Sequence, residues 1–162
     1  MEFLKKLFGQ PSAQINASEA SAPLPAEWLT STAAAEASRQ AAQQADWQHA
    51  CKVIYQNADQ IERILRDVGQ YAFPRAGDVV RSPSNIPDGL VSMQIWEDDV
   101  PQSHVSVGAA RKMGAVELAK TMIVVRLGDY RNLASIDPDH FSIEVLQETF
   151  RQLLVRHTRK GA

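Results

Sequence analysis

Residues 108–127 read GAARKMGAVELAKTMIVVRL, and the period assigned to them decides the fold. At helical spacing Ala109, Met113, Val116, Ala119, Ile123 and Leu127 share one face, with Leu118, Met122 and Val125 on the other side. A helix apolar on two faces is a buried, central one. At period two, 121–127 (TMIVVRL) is instead a β-branched strand. Ala, Arg, Lys, Met, Glu and Leu favour helix, and the residues before Thr121 lead into the run unbroken. One continuous helix, stopped by Gly128, is therefore the expectation.

Upstream lies the strongest periodic signal. Trp47, Cys51, Ile54, Ala58, Ile61, Leu65, Val68 and Ala72 are spaced alternately four and three apart. Ile64 and Tyr71 widen this stripe, and Asp46, Lys52, Asp59, Glu62, Arg63, Arg66 and Asp67 lie largely off it. The pattern predicts one amphipathic helix of about seven turns, of the kind that forms a coiled-coil seam. Its seam residues, Trp47, Cys51, Ile54, Ala58, Ile61, Leu65 and Val68, would pack on a helix of the same chain or make a homodimer. Pro74 disfavours the helical region at Phe73, so the helix ends near Tyr71. Before it, residues 33–50 are rich in alanine and glutamine, with Thr30, Ser31 and Thr32 all able to cap.

Residues 73–89 hold three prolines and two glycines and read as a long loop or a string of turns. Residues 90–96 (LVSMQIW) alternate, with Val91, Met93 and Ile95 on one side and Ser92 and Gln94 opposite, which is a strand. His104–Val107 would pair with it as a hairpin. Asp137-Pro138 starts a last helix, because Asp accepts from free amides and Pro is tolerated at the first helical position. Ile143, Leu146, Phe150, Leu153 and His157 give that helix its stripe as far as about Arg159. The expected fold class is α+β, mainly helical. It comprises a long amphipathic helix, a short strand or hairpin, a buried central helix and a C-terminal helix, in one domain over 27–162.

The front of the chain is different. In residues 1–9 (MEFLKKLFG), Phe3 and Leu7 are four apart, as are Leu4 and Phe8, with Lys5 and Lys6 beside them. Helical spacing puts the four apolar side chains on one face. Residues 10–26 are rich in Ser, Ala and Pro, read as a flexible linker, and would span about 20–25 Å as a coil. Burying four such side chains yields about 6–12 kcal/mol. Ordering the peptide costs about 1–2 kcal/mol per residue, so the two nearly cancel and the peptide needs help to bind. An anionic membrane would add about 1 kcal/mol for each of Lys5 and Lys6. A partner groove would take the apolar face directly, and the remaining alternative is a peptide that folds back on its own domain or stays disordered.

Composition bounds the rest. The chain has 162 residues, 44% hydrophobic and 22% charged, and a formal charge of −2. That is ordinary globular composition and not that of an electrostatic nucleic-acid binder. Residues 1–100 carry 8 basic and 13 acidic groups, and residues 101–162 carry 9 and 6. Cys51 is the lone cysteine, so no intramolecular disulfide and no cysteine-based zinc site can form. The longest apolar run, Met122–Val125, is far short of a bilayer span. Lys5 and Lys6 lead into no signal-type apolar core. The expected location is therefore the cytoplasm, with peripheral contact on the inner membrane face as the membrane version.

No pattern for chemistry emerges. GAARKMG (108–114) lacks the Lys-Ser/Thr of a phosphate loop, and no Gly-x-Ser-x-Gly elbow is present. Cys51 lies inside the apolar stripe, whereas a reactive thiolate wants an exposed electropositive setting. Asp137, Asp139, His140 and Glu144 are the nearest approach to a metal set, but a helix start explains the aspartates. Glu97, Asp98, Asp99 and His104 read as a solvated turn. The sequence thus calls for no catalytic residue, metal or cofactor. It points to a non-enzymatic adaptor or assembly subunit, docked through Phe3, Leu4, Lys5, Lys6, Leu7 and Phe8 onto a protein partner or membrane surface. Two alternatives are a chaperone for a secreted or assembled client, and a small enzyme with a site near the 73–104 loops.

Overall fold

The computed structural model describes residues 26–83, 89–97, 99–112 and 120–161. The docking peptide 1–9 and all of the 10–26 linker except Ala26, which opens the first helix, lie outside the described residues. By its internal contacts the chain divides into two units, 1–39 and 40–162. Of the first unit, residues 26–39 are helical, and Trp28 and Leu29 are exposed there.

The elements are α1 (Ala26–Gln56), α2 (Ala58–Ala72), β1 (Ala76–Arg81), β2 (Val91–Glu97), β3 (Val100–Lys112), β4 (Lys120–Gly128), β5 (Leu133–Ile136), a 3-10 turn (Pro138–His140) and α3 (Ile143–Lys160). The five strands form one antiparallel sheet in chain order. This overturns the mainly helical expectation, because the core is built on that sheet.

Over the described residues, strands replace the expected central helix. Residues 108–112 continue β3, and Lys120–Gly128 is β4, paired with it from His104↔Gly128 to Lys112↔Lys120. Thr121, Ile123, Val125 and Leu127 are buried on one face, and Met122, Val124 and Arg126 are half-buried on the other. Both faces carry apolar side chains, so the alternation is masked in sequence. The predicted loop 73–89 also contains a strand, β1. Its pairing with β2 is irregular between Ala76 and Val79, which breaks the period-two signal there. The short hairpin expected at 104–107 is part of the 13-residue β3.

The 47–72 stripe is helical but not one helix. It breaks at Asn57, whose side chain donates to Val53 O at 2.8 Å while Gln60 N and Ile61 N bond its carbonyl. An asparagine that bonds backbone locally competes with the helix ladder in this way. Thr30 and Thr32 do not cap α1. They lie inside it, bonded to the carbonyls of Ala26 and Trp28 at 2.8 Å each. The Asp137-Pro138 start yields only the 3-10 turn, where the Asp137 carboxylate accepts from Asp139 N. The α-helix begins at Ile143, with Ser142 Oγ accepting from Val145 N at 3.2 Å.

Ala50, Ile54, Ala58, Ile61 and Leu65 meet Val91, Met93, Ile95, Val105, Val107, Ile123, Val125 and Leu127, all buried, across one face of the sheet. Leu146, Phe150 and Leu153 of α3 complete that core. Helix α2 lies over β1 and β2, and α3 over β4 and β5. The tight turn after β4 needs Gly128, at φ +77°, where a Cβ would lie 3.1 Å from Phe73 Cζ. Buried Asn132 ties this turn to α3, its amide donating to Leu127 O and Leu153 O at 3.1 Å each. Helix α1 closes the far end: Asp46 Oδ2 accepts from Thr121 N at 2.6 Å, and His49 Nε2 lies 2.9 Å from Asp139 Oδ1.

Candidate functional site

The helices cover one face of the sheet, and strand parity assigns a separate set of residues to the other. Cross-strand partners share a face, so Val80, Ser92, Ser106, Arg126 and Leu133 form one row across all five strands. Gln94 and His104 pair beside it, as do Gly108, Val124 and Ser135. Strands β2 and β3 thus contribute Ser92, Ser106 and Gly108 to this face, while Val80, Trp96 and Leu133 are exposed. Ser92 and Ser106 are nonetheless buried. Gly89, at φ +89°, comes so close to Ser106 that a Cβ would lie 3.0 Å from the serine Cβ.

Two hollows lie along this face. One, of about 460 Å³, runs over β1 and β2 and is lined by Asp78, Val80, Ser92, Gln94 and Trp96. Gly77 also lines it, and a Cβ there would come within 3.3 Å of Trp96 Nε1. An indole, an aliphatic side chain and an exposed carboxylate together suit the stem and charged head of a basic side chain. The second hollow, of about 240 Å³, lies over β3 to β5 between Ala110, Met122, Val124 and Leu133 and is apolar. A third concavity, of about 500 Å³, lies between α2 and α3.

The seam residues lie in the core. Ile54, Ala58, Ile61 and Leu65 are buried, and Trp47, Cys51 and Val68 pack partly buried against them. Their apolar face is therefore used within one chain. Burial pushes the Cys51 thiol above its ordinary value, away from the thiolate that a nucleophile needs. Asp137, Asp139, His140 and Glu144 do not converge on a metal geometry. Among the described residues no group of three or more His, Cys, Asp or Glu could hold a metal ion. Asp137 instead pairs with Lys120 Nζ at 2.5 Å, which holds its carboxyl below the ordinary aspartate value. Glu144 is lowered by its own backbone N–H, in the first turn of α3, and by Ser142.

In the 97–104 stretch, Asp99 sits at φ +62° with Arg75 Nη1 3.8 Å from its carboxylate. The side chains of Glu97 and Asp98, like the docking residues Phe3, Leu4, Lys5, Lys6, Leu7 and Phe8, lie outside the described residues. Sequence reading missed Val80, Trp96 and the Ser92–Ser106 pair. The alternation at 90–96 already places Trp96 on the side of Ser92 and Gln94, so parity could have found it. Among the described residues no helix is long and apolar enough to cross a membrane. No protein-family model matches the chain, and neither a curated protein nor a solved structure matches it.

Proposed function

We propose that this chain is a non-enzymatic adaptor or assembly subunit, recruited to a partner protein or a membrane surface through residues 1–9. The observation that carries this reading is the spacing of Phe3, Leu4, Leu7 and Phe8 on one helical face beside Lys5 and Lys6, ahead of a polar linker. It is supported by the body's long stripe being consumed in its own core, at Ile54, Ala58, Ile61 and Leu65. The margin between burial and ordering is narrow for nine residues, so the peptide contributes a weak contact that a second one reinforces. The exposed Trp96 and Val80 on the sheet are where a recruited partner finds that second contact.

The test compares the full chain with a variant lacking residues 1–9, by pull-down from its own cells and by flotation with anionic vesicles. The truncated protein keeps its melting temperature and loses either the captured partner or the vesicles. Equal recovery of both proteins in both assays sinks the reading.

A further inference from the structure

The groove between α2 and α3 is lined by Asp67, Val68, Tyr71, Arg151, Leu154 and Val155. Its floor belongs to the core, since Val68 and Leu154 pack against buried residues. Its rims do not: Tyr71 is 78% exposed and Val155 46% exposed. An aromatic ring this exposed beside an aliphatic patch is the kind of group that anchors protein contacts. Apolar exposure alone does not name an occupant. The charges do, because α2 supplies an acid and α3 a base.

Asp67 makes no ion pair among the described residues. Among the described residues Arg151 pairs with Glu148 alone, one turn earlier on its own helix. The two rim charges sit on opposite walls of the groove and form no ion pair with each other. We infer that this groove is a self-complementary interface that takes a second copy of the chain. With a two-fold axis along the groove, the α2 wall of each copy meets the α3 wall of the other. Asp67 then faces Arg151 twice, and each Tyr71 ring covers the opposing Leu154 and Val155. Of the two charges that line the groove, each then meets its opposite, while Glu148 stays on the outer side of Arg151 as its intrahelical partner. The interface differs from the homodimer suggested by the 47–72 stripe, whose seam is spent in the core. It does not depend on residues 1–9 binding anything.

Sedimentation of the full chain between about 1 and 200 µM covers the range in which such a contact closes. The expected mass is twice 17.9 kDa at the upper end. Val155→Glu and Tyr71→Glu each convert the protein to monomer. Asp67→Arg weakens the dimer about tenfold or more, and adding Arg151→Asp restores it. Asp67 is exposed, so this charge exchange tests the interface even if the glutamate variants lose their fold. A monomer at every concentration overturns the proposal. So does a dimer indifferent to Val155→Glu, or one weakened by Asp67→Arg and not restored by the exchange. Recruitment by residues 1–9 is read by a different deletion in different assays, so failure here leaves that reading standing.

Discussion

At Gly69 the sequence invites one reading and the packing gives another. Within a helix a glycine loosens the turn, and alanine would gain up to about 1 kcal/mol of propensity. Here α2 crosses β2 at this residue. A Cβ would overlap Met93 Sδ and lie 3.3 Å from its Cε, with Met93 itself buried. Overpacking of that kind costs about 1–3 kcal/mol, so Gly69→Ala is expected to lower stability in urea denaturation. The loss should shrink in the background of Met93→Ala, whose cavity accepts the new methyl. Asp137 carries the clearest pH dependence. Its carboxylate accepts from Lys120 Nζ at 2.5 Å and from Asp139 N at 3.0 Å, which lowers its pKa, while the same pair raises that of Lys120. The aspartate's contribution is present above its unfolded pKa and is lost as pH falls through the lower folded one. The lysine's is present below its unfolded pKa and is lost as pH rises through the higher folded one. Asp137→Asn should therefore lower stability at neutral pH and flatten both the acid and the alkaline flanks of a stability–pH curve.

Among the elements, α3 has the best-defined start. Ser142 is extended, its hydroxyl accepts from Val145 N, and Leu146 N bonds its carbonyl. Ser142→Ala should cost about 1 kcal/mol in thermal or chemical denaturation. Glu144 in the first turn complements the same helix end and remains. Asp137-Pro138 opens a 3-10 turn and not α3, because an Asx-type cap serves a single turn as well as a longer helix. The 47–72 stripe was legible because its apolar residues face one layer only. The break at Asn57 was not, since a one-residue interruption leaves the 3-4 spacing intact across it. The strand at 91–97 was legible through Val91, Met93 and Ile95, with polar Ser92 and Gln94 between them. Strand β4 was not, because Met122 and Val124 on its second face are as apolar as the core residues. For short apolar runs, period alone does not separate strand from helix, and here the partner strand β3 decides. The candidate surface was hidden for a related reason: Val80, Trp96 and Ser106 come together only through register, which spacing within one strand does not encode.

Across the molecule, chain order and sheet order coincide, so every strand pairs with its neighbour in sequence. The helices that seal the core come from either side of the strands, with α2 before β1 and α3 after β5. They meet each other over the sheet. Dimerisation along their groove would put two copies of residues 1–9 on one particle, and weak peptide contacts then combine through effective concentration. The same arrangement sets a schedule for biosynthesis. All five strands leave the ribosome before α3 does, so the greasy side of Val125 and Leu127 is finished while Leu146, Phe150 and Leu153 are still to come. A nascent chain paused at this stage shows water a half-roofed sheet, which is a natural target for chaperones and for proteases.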